Sequence, residues 1–155
     1  MSIVVILTGS KSDLPFVNRI TAALDKFGIA CECRVASAHK SAAYLLDMLA
    51  QYEASGKVDV YVTVAGRSNA LSGMVDANVS APVIACPPYS EAFGGADVYS
   101  SLRMPSGVAP ALVLEPEGAA LLAAKILGLK DKVRQMQQAN VDALLAADRE
   151  LVKRG

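Results

Sequence analysis

The stretch IVVILTGSKSD, residues 3–13, decides the fold. Five consecutive apolar residues, Ile3 to Leu7, are rich in β-branched side chains and too few for a helix. A strand without polar alternation has both faces covered, as in a parallel sheet. It ends at Gly9, and DLPFVNRITAALDKFG (13–28) follows at once with helical spacing. There Phe16, Ile20, Ala23, Leu24 and Phe27 define one face, Pro15 sits in the first turn, and Gly28 supplies the stop. A buried strand feeding a helix is the first half of a βαβ unit.

The same alternation continues along the chain. Strands are predicted at 29–35, 58–64, 82–86 and 111–114, and helices at 41–55 and 115–129, with a short one after AGRSNALSG. Residues 87–110 read as one long loop, and about 131–154 as a long terminal helix. This order predicts a single α/β domain over 1–155, with a doubly wound, mainly parallel five-stranded sheet between helical layers. No repeat, low-complexity segment or linker divides it.

Composition narrows the function classes. Fifteen basic residues balance fifteen acidic ones, so no global field favours nucleic acid or an anionic membrane. The opening residues lack a basic flank, and their apolar run is too short for a signal peptide or membrane span. Lys125 interrupts GAALLAAKILGL, so nothing there spans a bilayer, and a cytoplasmic location is expected. Hydrophobic residues make up 53% of the chain and charged ones only 19%, an excess that predicts self-association. Cys31, Cys33 and Cys86 form no disulfide framework. Cys31 and Cys33 fall on one face of a strand, at a spacing poor for zinc or thioredoxin-type redox chemistry, and core packing is expected for them.

In open α/β sheets ligands bind beyond the carboxyl ends of the strands, near the point where strand order reverses. The stretches after strands one to four are accordingly polar or glycine-bearing: GSKSD (9–13), SAHK (37–40), AGRSN (65–69) and CPPYS (86–90). GSKSD offers Gly9, Ser10 and Ser12 beside a helix N-terminus, which suits either a phosphate cradle or an ordinary capped turn. It is neither a Walker loop nor a dinucleotide fingerprint. Asp13 repels phosphate, so it reads as a ribose-hydroxyl acceptor or as the helix N-cap. His39 is the only histidine in the chain, set among small residues and next to Lys40. An imidazole of pKa about 6.5 can take and return a proton at neutral pH, and a neighbouring ammonium disfavours its charged form. A structural or surface histidine is the plainer reading, and the strand-end position favours catalysis. Arg67, Ser68 and Asn69, with Arg103 from SSLRMPSG, suit an anion, because guanidinium groups clamp phosphate or carboxylate.

Taken together in this order, GSKSD, SAHK, AGRSN, CPP and DVYSSLRMPSG resemble the PurE family of purine biosynthesis over nearly the whole chain. The resemblance implies a flavodoxin-like three-layer sandwich and a homo-oligomer, an octamer with a tetramer as the alternative. It also implies a terminal helix packed on a neighbouring subunit. Class I of the family, the N5-carboxyaminoimidazole ribonucleotide mutases, has SAHR and a second histidine in an AHLPGM-like stretch. Here those segments read SAHK and NALSGM, which points to class II, lyases that carboxylate 5-aminoimidazole ribonucleotide (AIR) with CO2. No cofactor or metal is implied, and the partners are a ribonucleotide and CO2. Carried over by position, Gly9, Ser10, Ser12 and Asp13 meet the ribose phosphate, and Ser37, Ala38, His39 and Lys40 line the reacting end. Gly66, Arg67, Ser68 and Asn69 close over the base, phosphate or carboxylate, and Arg103 arrives from a neighbouring loop. The mutase is the nearest rival reading. An FMN carrier or a nucleotide-sensing module on the same fold is more distant, the former weakened by the absence of Trp.

Overall fold

A computed structural model describes residues 3–153. Five parallel strands, β1 (Ile3–Thr8), β2 (Cys31–Val35), β3 (Val58–Val64), β4 (Val83–Ala85) and β5 (Ala111–Leu112), form one sheet in the order β2-β1-β3-β4-β5. This is the flavodoxin-like order, and it reverses between β1 and β3. Because side chains alternate across a strand, Val4, Ile6, Val60 and Val62 face one layer while Val5, Leu7 and Tyr61 face the other. On the first face lie α1 (Leu14–Lys26) and α4 (Pro116–Ile126), which contribute Val17, Ile20, Leu24 and the alanines 119, 120, 123 and 124. On the second lie α2 (Ala42–Ser55) and α3 (Ala70–Asp76), through Leu45, Met48, Leu49, Leu71 and Val75. The apolar runs of β1 and β4 and the inner part of β3, Val60 to Val64, are thus buried on both sides.

The second strand departs from the expected 29–35. Gly28 takes a left-handed conformation (φ 64°) after α1, its N–H donates to Asp25 O, and the N–H of Ile29 donates to Leu24 O at 3.1 Å. Those bonds satisfy the last carbonyls of the helix and consume Ile29 before the strand begins. β2 is also an edge strand, which corrects the expectation for Cys33: it is exposed, whereas Cys31 packs partly on the α1 layer. Burial, then Cys33 and Asp25, push the Cys31 thiol up to about 11, and burial pushes that of Cys86 up to about 12. Neither is a thiolate at neutral pH.

Elsewhere the boundaries differ by at most three residues, the largest shift being the end of α4 at Ile126 rather than 129, and the long loop contains two 3₁₀ turns, Glu91–Phe93 and Ala96–Ser101. The terminal helix, α5, runs Lys130–Val152, and the expected end at 154 lies outside the described residues. Only its first two turns meet the core, through Val133 and Met136. Beyond them Val141, Leu144, Leu145, Leu151 and Val152 are exposed at helical spacing. No described helix is long and apolar enough to cross a membrane.

Tyr61 is buried at the centre of β3, edge-on to Tyr52 with ring centroids 6.3 Å apart. Its hydroxyl is the one buried side-chain polar atom without a hydrogen-bond partner among the described residues. A buried unpaired hydroxyl costs about 1–3 kcal/mol. Tyr61→Phe keeps the ring contact and removes that cost, so urea unfolding should show a gain of about 1 kcal/mol; a loss of stability would mean that the hydroxyl is satisfied in solution.

Candidate functional site

The reversal of strand order leaves a crevice above the carboxyl ends of β1 and β3, and the loops after β1 to β4 close it into a cavity of about 680 Å³. Gly9 forms the floor: its N–H donates to Val64 O at 3.0 Å, extending the β1–β3 ladder by one step. A β-carbon there would lie 3.8 Å from that of Ala65, so the residue's smallness leaves room for a ligand rather than avoiding a clash.

The loop after β1 is held by its own hydroxyls. Thr8 Oγ1 donates to Ser10 O at 3.1 Å, Ser10 Oγ accepts from Ser12 N–H at 3.2 Å, and the two serine hydroxyls share a bond of 2.7 Å. Ser10 therefore caps the 3₁₀ turn Lys11–Asp13 that leads into α1. Asp13 occupies the N-cap position of α1 but makes no capping bond with its side chain, so the carboxylate stays on the cavity wall with only the Ser12 hydroxyl, at 3.5 Å, donating to it. Burial raises its pKa above the ordinary carboxylate value, and the Ser12 hydroxyl and the Arg67 charge oppose that rise.

After β2 the chain turns through Ser37–Lys40. Ser37 N–H donates to Ser41 Oγ at 2.9 Å, Ser41 Oγ donates to Ser37 O at 3.2 Å, and Lys40 N–H donates to Ser37 Oγ at 3.2 Å. The backbone is thus braced by two serines, while His39 and Lys40 stay exposed at the cavity. Ser41, missed in the sequence, belongs to this brace.

After β3, Gly66, Arg67 and Ser68 line the opposite wall. Asn69 does not line it. It lies buried beneath the loop, accepting from Ser72 N–H and Oγ at 3.2 and 2.9 Å and donating through Nδ2 to Ser101 Oγ at 2.8 Å. Arg103 is exposed outside the cavity of this chain. Of the thirteen positions carried over by resemblance, the cavity therefore gathers all but these two. Two further wall residues, Tyr89 and Asp97, were not singled out in the sequence. The signal for Tyr89 was the pair Gly94–Gly95: at Gly95, φ is 81° and a β-carbon would lie 2.7 Å from Tyr89 Cε2, so the ring lies against a glycine. Tyr89 and Asp97 also border a second, more apolar cavity of about 420 Å³. The wall combines a free carboxylate, an imidazole, two cations and several hydroxyls, a set able to bind a polyhydroxylated anion and to move a proton.

The raised pKa of Asp13 makes stability depend on pH in one direction. An acid whose folded pKa is raised binds its proton more tightly in the native state, so stability falls as pH rises from the unfolded value through the folded one. The ionised group therefore destabilises the free protein at neutral pH. Asp13→Asn should raise the urea midpoint at pH 7, and the gain should vanish on acidification towards the unfolded value of about 3.9. A pH-independent gain would trace to some other effect of the amide.

Three kinds of likeness bear on what this cavity is. The family model for AIR carboxylase matches residues 3–145. A phosphoribosylaminoimidazole carboxylase of Treponema denticola is 50% identical, over 96% of this chain and 97% of its own, and one of Archaeoglobus fulgidus is 57% identical over 95% and 83%. The human bifunctional phosphoribosylaminoimidazole carboxylase/phosphoribosylaminoimidazole succinocarboxamide synthetase is 49% identical over 83% of this chain, which corresponds to 30% of that longer protein. The crystal structure of Treponema denticola PurE superposes with a TM-score of 0.94 at 49% identity, covering 97% of this chain and 99% of that one. With sequence and fold agreeing over almost the whole length, the chain belongs to the AIR carboxylase family.

Proposed function

We propose that this protein carboxylates AIR at C4 with CO2, giving 4-carboxy-5-aminoimidazole ribonucleotide (CAIR) in purine biosynthesis, without ATP, biotin or metal. The observation that carries this reading over the mutase is the cavity's single imidazole. His39 is the only histidine in the chain, and the NALSGM segment, where mutase-class members bear a second one, opens α3 with Ala70.

The chemistry follows from the substrate. The exocyclic amine of AIR pushes electron density through the C5–C4 double bond, so C4 attacks the carbon of CO2 and one C–O π pair moves onto oxygen. C4 then bears both the new carboxylate and its original hydrogen. Removal of that proton returns the C–H pair to the ring and restores aromaticity, leaving CAIR and one proton. In this reading His39 is the base. Its exposed ring on a serine-braced turn can accept the proton from C4 and release it to water. Lys40 and nearby hydroxyls stabilise the carboxylate as it forms. Ser10, Ser12 and the backbone of residues 9–13 take the ribose phosphate, and Asp13, free of capping, accepts from ribose hydroxyls. Arg67 supplies the second cation on the opposite wall.

The protein is also read as one domain working in the cytoplasm as a homo-oligomer, an octamer with a tetramer as the alternative. The exposed apolar stripe of α5 from Val141 to Val152 supports a contact with a neighbouring copy, and the exposed Arg103 is read as serving a neighbour's cavity.

Purified protein supplied with EDTA, AIR and dissolved CO2 should form CAIR without ATP. Product from N5-carboxyaminoimidazole ribonucleotide alone would instead identify a mutase, and no product from either would favour a binding module. Replacement of a positioned base typically costs about 10²–10⁴ in rate. His39→Asn should therefore lower kcat by about that factor and leave AIR affinity near wild type; near-full turnover would exclude the assigned role.

A further inference from the structure

We propose that Asp97, backed by Ser100, is a positioning residue for Arg67, holding the loop after β3 in the left-handed turn that carries the guanidinium at the cavity. For its substrate the proposal rests on the AIR carboxylase reading; its conformational half does not.

Arg67 is the one non-glycine residue with positive φ among the described residues, at 58°. In that region the β-carbon crowds the backbone, and only Asn and Asp have short side chains that relieve the strain locally. Arginine has no such relief, so the surroundings must impose the conformation. They do so from one segment, the 3₁₀ turn Ala96–Ser101. The N–H of Arg67 donates to Asp97 Oδ2 at 3.2 Å. Ser100 Oγ lies 3.2 Å from the Arg67 carbonyl oxygen and 2.8 Å from that of Asp97, and accepts from Asn69 N–H at 2.9 Å. The strained residue is therefore held on both its amino and its carboxyl side.

The segment that holds it is itself anchored. Asn69 Nδ2 donates to Ser101 Oγ, Ser72 Oγ donates to Asn69 Oδ1, and Ser72 Oγ shares a 2.7 Å bond with Thr63 Oγ1 inside β3. Every hydroxyl in that chain is buried, so the bonds do not compete with water.

The charges argue the same way. Asp97 lies on the wall of a cavity whose cations suit an anionic ligand, and its carboxylate would repel such a ligand. Yet it does not neutralise Arg67: no ion pair of the Arg67 side chain within 4.0 Å occurs among the described residues. Its oxygen is spent on the backbone N–H, which leaves the guanidinium free for a substrate anion. An arrangement that merely stapled two loops would gain more from a direct ion pair.

The test uses the full chain with Asp97→Ala, Asp97→Asn and Ser100→Ala. The crystal structure of Asp97→Ala should show residue 67 at negative φ, and that of Asp97→Asn, whose amide oxygen still accepts, at positive φ. The KM for AIR should rise about tenfold in Asp97→Ala and Ser100→Ala, with kcat within about threefold, and Asp97→Asn should recover it to within about twofold. In an Arg67→Ala background, Asp97→Ala should add no further rise. A KM raised as much by Asn as by Ala would assign the effect to the carboxylate charge and overturn the proposal. So would additive effects in the double variant, or an unmoved φ. If Asp97→Ala fails to fold, Ser100→Ala carries the same expectations for φ and KM. If the wild-type protein forms no CAIR while residue 67 still inverts, the AIR reading falls and the conformational latch stands.

Discussion

The parallel pairing of β1 with β3, extended by the Gly9 N–H on Val64 O, is the contact on which the rest of the structure depends. It joins the first strand to the third and sends β2 to the far edge, so the helices after β1 and β3 leave the sheet on opposite faces. Loops whose following helices diverge leave a gap between them, and that gap is the cavity. A fold in strict chain order would place successive helices on one face and close the gap. The pairing is held by hydrophobic burial on both sides of two strands, which leaves the strand-end loops free to carry polar groups.

Those loops are kept rigid by hydroxyl chemistry rather than by apolar packing. Ser10 and Ser12 brace the turn after β1, Ser37 and Ser41 the turn after β2, and Thr63, Ser72, Ser100 and Ser101 surround the loop after β3. Small hydroxylated side chains satisfy backbone groups locally and occupy little volume. They fix His39, Lys40 and Arg67 at the backbone while leaving their side chains reach and space. Bulkier loop residues would fix the same turns by filling the cavity.

Much of this was legible in the sequence because it is written in short-range patterns. The apolar runs of β1 and β3, Pro15 in the first turn of α1, and Gly28 and Gly56 at helix ends each specify an element through its own neighbours. What was not legible depends on contacts between distant segments. The exposure of Cys33 follows from the edge position of β2, which strand order alone decides. Asn69 resembled a binding residue because it follows Arg67, yet its side chain faces Ser101, thirty-two positions later. Tyr89 and Asp97 reach the wall through a long loop whose course is set by two 3₁₀ turns and two left-handed glycines, none of which shows a periodicity.

The distribution of charge within the cavity explains how two carboxylates and a strained arginine coexist on its wall. Asp13 and Asp97 are both on the wall, and either could pair with Arg67 and cancel it. Instead, Asp13 is half-buried with only the Ser12 hydroxyl at 3.5 Å, and Asp97 is turned to a backbone N–H. Both arrangements are unfavourable in the free protein, one through desolvation and the other through the left-handed backbone it supports. In the proposed reading, a ligand supplies hydroxyls to one carboxylate and negative charge to the guanidinium, so stability withheld from the free site would be recovered on binding. Sites that must be preorganised, rather than assembled by their substrate, are built in this way.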